Sequence, residues 1–235
     1  MERNYCISIA MATYNGEKFI KEQLDSILCQ ICKQDEIIIS DDGSTDNTLN
    51  IIKSYNDNRI KIINGPHDGV KQNFANAISK CKGKYIFLSD QDDIWMVDKI
   101  SIVLKVFEKK RCTCVLHDNV TFDSNTGKII QESFFEFRNS KPGILRNIIK
   151  NSYIGCCMAF DSKMKEYFLP IPNNIEMHDQ WIGIISEKYG NSIFIKDKLI
   201  KYRRHSNNVT KLKHNKFIKM IVNRICLIYF FVKKF

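Results

Sequence analysis

Four apolar runs separated by stretches of helical spacing confine this chain to an alternating α/β architecture. Residues 6–12 are apolar except for Ser8, and residues 36–40, 60–63 and 85–88 are shorter runs of mostly Ile, Leu and aromatic side chains. Short apolar runs bounded by turn signals mark strands buried on both faces, as in a parallel sheet. Between them lie residues 17–29, with Phe19, Ile20, Leu24, Ile27 and Leu28 at helical spacing, then residues 47–55 and about 69–81. The order βαβαβαβ predicts a single, mostly parallel twisted sheet flanked by helices. At 235 residues the chain can bury one substantial core.

In open α/β sheets, ligands bind beyond the carboxyl ends of the strands. Directly after the fourth run stands Ser89-Asp90-Gln91-Asp92-Asp93-Ile94-Trp95, three carboxylates within four residues. Packed carboxylates repel one another unless a cation sits between them. A hard divalent ion with oxygen ligands, Mg2+ or Mn2+, is the natural neutraliser. One acid, Asp92 or Asp93, suffices to cap the helix expected over residues 95–109, and a cap does not account for all three. The second run ends in Asp41-Asp42-Gly43-Ser44-Thr45-Asp46. Turn and cap chemistry accounts for Gly43 and one of the residues after it, but not for both Asp41 and Asp42. A carboxylate at this edge can accept from a base N–H or a ribose hydroxyl. Neither GxGxxG nor GxxxxGK[ST] occurs, which excludes a Rossmann dinucleotide site and a P-loop.

The second half is less regular. A strand over residues 113–117 is expected to join the sheet, followed by a polar and aromatic excursion over 118–138 and a short helix over 143–150. Residues 154–160 read as a strand, with Gly155 permitting close backbone approach. Pro170 and Pro172 break the chain before a helix over 179–189, and two short strands, 192–195 and 199–203, flank Asp197.

Charge is unevenly placed. Residues 196–235 hold twelve Lys and Arg against the single acid Asp197, whereas the rest of the chain is almost neutral. A positive end points to an anionic partner such as phosphates or an acidic membrane face. Residues 225–232 form an apolar run, but Arg224 interrupts the stretch before it spans a bilayer. The tail, residues 211–235, therefore reads as a basic amphipathic helix with Lys216, Lys219 and Asn223 near one stripe. It is expected either on an anionic membrane surface, or docked on its own domain or in a homodimer seam. The odd count of nine cysteines, several within apolar runs, suits reduced packing thiols, and Cys29-Gln30-Ile31-Cys32 lacks a second pair at zinc-site spacing. The N-terminus lacks signal-peptide features, so a cytoplasmic location is expected, peripheral on the inner face of the plasma membrane.

Thr13-Tyr14-Asn15, Asp41-Asp42-Gly43-Ser44-Thr45-Asp46, Asp90-Gln91-Asp92-Asp93 and His178-Asp179-Gln180-Trp181 stand in an order and spacing that resemble family 2 glycosyltransferases. The wordings MATYNGEKFI, LSDQDDIW and YRRHSNNVT look most like the bacterial rhamnosyltransferase-like branch, which builds polysaccharide repeat units. The resemblance implies a GT-A domain over residues 1–210, with a nucleotide-binding half (1–117) and an acceptor-binding half (118–210). It implies an inverting, metal-dependent transfer from a UDP- or dTDP-sugar to a saccharide acceptor that is lipid-linked. By that resemblance Thr13, Tyr14, Asn15, Asp41, Asp42, Asn73 and Asp90 face the nucleotide. Asp90, Asp92 and His205 hold Mn2+ or Mg2+, Asp179 is the base, and Arg203, Arg204 and Lys71 face the diphosphate. Without it, Asp179 reads first as a helix cap. Two departures stand out: Ala12 replaces a frequent proline, and Gln72 replaces a frequent basic residue before Asn73, leaving Lys71 as its substitute.

Other classes fit less well. A nucleic-acid-binding protein explains the basic tail but not acidic motifs along one sheet edge. A nucleotidyltransferase lacks its lysine-bearing glycine-rich loop, and an aspartyl phosphatase needs its acids after the first strand. A non-catalytic relative that keeps the fold as a nucleotide-sugar or membrane-binding module stays open as the alternative.

Overall fold

A computed structural model of the chain describes residues 3–205 and 217–234. Residues 206–216, which carry Lys211, Lys216 and the last five letters of YRRHSNNVT, lie outside the described residues. In chain order the elements are β1 (Ile7–Thr13), α1 (Ile20–Leu28), β2 (Glu36–Asp41), α2 (Thr48–Ser54), β3 (Ile60–Asn64), α3 (Gly69–Lys80), β4 (Tyr85–Ser89), β5 (Ile94–Trp95) and α4 (Lys99–Lys109). There follow β6 (Cys114–Asp123), β7 (Ile129–Gln131), α5 (Phe134–Arg138), α6 (Ile144–Ile149) and β8 (Met158–Asp161). The chain continues with α7 (Lys165–Phe168), α8 (His178–Tyr189), β9 (Ser192–Arg204) and α9 (Phe217–Lys233).

The strands form one sheet in the order β3-β2-β1-β4-β8-β6-β9-β5, with β7 paired to β6. β3, β2, β1 and β4 run parallel and are joined by right-sized helical crossovers, as the alternating pattern requires. Every residue of β1, β2 and β4 is buried, which is why their central residues are continuously apolar apart from Ser8, with the polar letters concentrated at the strand ends. Register aligns Thr13 with Asp41 and Asp41 with Asn64, so the loops after β1, β2 and β3 emerge side by side on one edge.

At the opposite end of β1 the backbone is crowded. A Cβ on Gly83 would lie 2.4 Å from the backbone carbon of Ile7 and the nitrogen of Ser8, and the Gly83 N–H donates to Ser8 Oγ at 2.7 Å. Gly83→Ala must push β1 and β4 apart. It is expected to cost about 1–3 kcal/mol, the range for overpacking a tight site, and to lower the urea midpoint with unchanged m-value.

The second half departs from the sequence expectation at several points. β6 continues to Asp123, through six residues read above as excursion. Its polar letters are consumed internally: the buried Asp118 carboxylate accepts from Asn119 N, Phe135 N and Ser133 Oγ. β9 is one strand, not two, because a register shift against β6 at His117/Asp118 absorbs the exposed Lys196 and Asp197. Residues 155–157 form a 3₁₀ turn before β8. The helix expected from residue 95 starts at Lys99, because Ile94 and Trp95 pair with β9 as β5.

α9 docks on the domain. Leu227 is buried in the core, Phe230 and Phe231 pack against it, and the Arg224 guanidinium donates to the Ile149 carbonyl at the end of α6. No helix among the described residues is long and apolar enough to cross a membrane.

Candidate active site

The loop after β4 is fixed from three sides before any ligand is considered. Gln23 of α1 donates to Ser89 Oγ at 2.6 Å. Gln91 makes a paired contact with the Tyr14 backbone, accepting from its N–H at 3.0 Å and donating to its carbonyl at 2.9 Å. From β9, Arg203 donates Nε to the Asp92 carbonyl at 2.7 Å and its backbone N–H to Asp93 Oδ1 at 3.0 Å. The Arg203 guanidinium lies between the rings of Phe19 and Phe122, 4.8 Å from each, and pairs with Glu22.

This geometry corrects two sequence expectations. Asp93 does not cap α4: it is buried and latches the loop to β9, while Asp98 occupies the position before the helix. Arg203 does not face a diphosphate, because its fork is engaged on Asp92 and Glu22 beneath two aromatic rings. Arg204 stands at the end of β9, opposite Asp123.

What the clamp presents is a pair of side chains from the loop and the strand. His205 Nε2 lies 2.7 Å from Asp92 Oδ2, and its ring packs on Phe19 with centroids 4.7 Å apart. Asp90 stands close by. Burial first, then the negative charges of Asp92 and Asp179, push its carboxyl up to about 7. Ligand atoms of Asp90, Asp93 and Cys156 also fall within 4.8 Å of one another. Burial holds the Cys156 proton firmly, and a neutral thiol suits a hard cation poorly. Asp90, Asp92 and His205, the set expected to hold Mn2+ or Mg2+, are of the right donor type, but among the described residues the ligand atoms that converge are those of Asp90, Asp93 and Cys156, while Asp92 and His205 bind each other.

Beneath the acids lies a cation not singled out in the sequence. Lys99 is fully buried, donates to the Cys156 carbonyl at 2.7 Å and sits 3.8 Å over the Trp95 ring. Burial lowers its pKa to about 8, opposed by the charges of Asp93 and Asp90. The signal for it was a lysine on the same helical stripe as Val103 and Phe107, both buried.

Asp179 lies in the first turn of α8, almost fully buried. Burial raises its carboxyl to about 7, while N–H groups of Gln180 and Gly155 and the Asn151 side chain pull the other way. It is near enough to Asp90 to raise that group in turn. A carboxylate with this affinity for a proton is matched to proton abstraction near neutral pH. Its neighbour His178 stacks on Phe74 of α3 with ring centroids 4.2 Å apart, and burial holds the imidazole neutral, at about 3.

The nucleotide-side residues divide into two groups. Asp41 is saturated by its own turn: Gly43 N, Ser44 N, Ser44 Oγ and Thr13 Oγ1 occupy its four acceptor positions. Neither Asp41 nor the buried Thr13 is therefore turned to a ligand, contrary to the sequence expectation. Asp42 accepts one N–H on each oxygen, from His67 and Gly69, and retains capacity for more. Tyr14 is exposed. Asn15 adopts a left-handed φ of 47° and accepts from Thr45 N, while Asn73 donates to the Thr13 carbonyl. Lys71, expected at the diphosphate, instead donates to the carbonyls of Asn173 and Ile175, and Gln72 beside it also binds the 171–173 segment. Both tie α3 to the loop leading into α8.

Comparison with known proteins bears on the family and the fold. The family model for glycosyl transferase family 2 matches residues 8–168. Among curated proteins, the dTDP-rhamnosyl transferase RfbG of Shigella flexneri is 32% identical over 217 residues, 84% of this chain and 72% of that protein. The UDP-Glc:alpha-D-GlcNAc-diphosphoundecaprenol beta-1,3-glucosyltransferase WfgD of Escherichia coli is 25% identical over 89% of this chain and 81% of its own length. Among solved structures, S. aureus TarS 1-349 in complex with UDP-GlcNAc superposes with a TM-score of 0.70 at 20% identity, covering 86% of this chain and 59% of that one. A Pyrobaculum calidifontis mannosyltransferase in complex with GDP-Man and Mn2+ gives 0.68 at 18%, over 87% and 59%. These two likenesses bear on the fold, a GT-A sheet with flanking helices. The family match over most of the chain, joined to a relative of 32% identity, shows that this protein belongs to glycosyl transferase family 2.

Proposed function

We propose that this protein is an inverting glycosyltransferase that moves a sugar from a nucleotide-diphosphate donor to a hydroxyl of a lipid-linked saccharide in bacterial surface polysaccharide synthesis. The observation that carries the reading is that Asp90 lies near enough to both Asp179 and Asp92 for their charges to raise its carboxyl, with His205 on Asp92 at 2.7 Å. Asp179 takes the proton of the acceptor hydroxyl as it attacks the anomeric carbon. A single base working against a departing diphosphate suits one displacement, which inverts the anomeric configuration. Asp90, Asp92 and His205 would hold Mn2+ or Mg2+, and the ion would neutralise charge on the leaving diphosphate. Exposed Tyr14, with Asn15, Asp42 and Asn73, forms the side facing a uridine or thymidine nucleotide. Relatives named for dTDP-rhamnose-type and UDP-glucose transfer support that donor class, and the diphosphoundecaprenol acceptor in the name of WfgD supports a lipid-linked acceptor at the inner membrane face.

A thermal-shift screen of UDP- and dTDP-sugars with and without Mn2+ tests it. A donor at about 100 times its Kd adds about 2.7 kcal/mol, roughly 5–11 °C for a chain of this size, and the gain should require the ion. Asp92→Asn should abolish the ion-dependent part. No stabilisation by any nucleotide-sugar, with Mn2+ or Mg2+ present, would overturn the reading.

A further inference from the structure

Among the described residues, α9 leaves one face without a partner. Ile221, Val222, Ile225, Ile228, Tyr229 and Val232 are all exposed, with Ile225 at 60% and Val232 at 65%. At 100° per residue they share an arc of about 120°, opposite the docked Leu227 and Phe230. The stripe continues onto α6, where Leu145 and Ile149 are 77% and 65% exposed and where Arg224 of α9 binds the Ile149 carbonyl. A contiguous apolar patch on two helices is not ordinary surface.

Charge decides what covers it. Lys219 and Lys233 border the stripe on α9, Arg146 and Lys150 accompany α6, and no acid occurs between residues 141 and 151 or after Asp197. A two-fold pairing of this face with a second copy would stack like charges against one another. An anionic bilayer instead takes the apolar stripe below its headgroups and the cations among its phosphates.

We infer that the α6–α9 face seats the enzyme on an anionic lipid surface and that this seating orients the acceptor side of the site toward the bilayer. The second half of the inference rests on the proposed lipid-linked acceptor and on the contact of α6 with the first turn of α8. Ile149 of the patch is two residues from Asn151, whose side chain acts on the Asp179 carboxyl. Gln180, next to the base, donates to the Asn147 carbonyl of α6 at 2.7 Å. The helix that meets lipid is thus the helix that braces the catalytic residue.

Flotation of the full chain with vesicles of phosphatidylglycerol and phosphatidylethanolamine at low salt tests the inference, with phosphatidylcholine vesicles as the control. The protein should float with the anionic vesicles, at least tenfold less with phosphatidylcholine or at 0.5 M salt. Ile225→Glu with Val232→Glu, two solvent-facing changes, should abolish flotation while donor-induced thermal shifts stay within twofold of the parent. Tyr229→Trp should give indole emission that moves to the blue on anionic vesicles only. A chain that binds donor yet stays at the bottom of the gradient overturns the inference. So does a concentration-dependent dimer that Ile225→Glu dissociates with no vesicle binding, which would assign the face to a second copy. Flotation without any donor binding would instead sink the proposed transfer and leave the membrane face standing.

Discussion

Asp179→Asn is expected to lower kcat for sugar transfer by about 10²–10⁴-fold, the usual contribution of a positioned base, while donor affinity stays within twofold. Asparagine keeps the shape and the hydrogen bond from the Gln180 N–H, so the first turn of α8 should survive. A purely capping role for Asp179 would give the opposite pattern, a loss of stability with turnover retained, because a lost cap costs about 1 kcal/mol and no chemistry. The pH profile separates the two roles further. With its carboxyl held at about 7 by burial, Asp179 is protonated and inactive as a base below neutrality. The parent's kcat should therefore climb about tenfold per pH unit up to near 7 and level off above it, and the residual rate of the asparagine variant should lack that limb.

The same raised carboxyl makes a stability statement with a definite sign. Its ordinary value is 3.8, so in the unfolded chain it ionises early, whereas in the folded chain it holds its proton to about 7. The contribution is neutral below pH 4, turns increasingly against folding between pH 4 and 7, and is complete above 7. Without metal or donor, Asp179→Asn should be more stable than the parent at pH 8, by about 2–4 kcal/mol, and nearly equal to it at pH 4. Urea unfolding at the two pH values measures this. A base that destabilises its own fold at working pH is the signature of a functional residue, and a variant with no gain at pH 8 would count against the buried carboxylate as drawn.

How much of this was legible in the sequence depends on whether a residue's role is local. The parallel half was readable because β1, β2 and β4 are buried on both faces, so their composition alone betrays them. Asp90, Asp92, Asp179 and His205 were readable as chemistry-bearing types at strand ends and a helix start; in the structure His205 meets Asp92, and Asp90 feels the charges of Asp92 and Asp179. The polar β6 was not readable, since Asp118 and Asn119 look like loop residues until Ser133 and the Phe135 N–H arrive to satisfy Asp118. Arg203 and Lys71 were misassigned for one reason. A long cation beside a phosphate site reads as a phosphate ligand, and only tertiary packing reveals carbonyls and aromatic rings waiting for it. Asp41 and Asp42 illustrate the same limit, since two adjacent acids divide into one saturated by its turn and one with acceptor capacity left.

Arg203→Ala is the second large effect, and it follows from the clamp alone. The substitution removes a charge-assisted hydrogen bond to the Asp92 carbonyl and two ring contacts, and leaves Phe19, Phe122 and that carbonyl without their filler. A hydrogen bond to a charged group contributes about 1.5–3 kcal/mol and each partly desolvated cation–π contact about 0.5–2. The half-exposed Glu22 pair adds little. A loss of about 3–4 kcal/mol is expected, read as a fall in Tm of roughly 6–16 °C. Arg203→Lys should recover less than half, because an ammonium cannot lie flat between two rings while also pointing a fork at a carbonyl. The functional consequence distinguishes a clamp from a phosphate ligand. Freed from Arg203, the loop no longer holds Asp92 against His205, so Mn2+-dependent donor binding should weaken about 10–100-fold, as for other lost supports of a metal ligand. Binding of the nucleoside monophosphate, which needs only the Tyr14 and Asp42 side, should change little. If Arg203 faced the diphosphate instead, its loss would weaken donor binding equally with and without the ion and leave Tm almost unmoved, and that result would return it to the role its sequence first suggested.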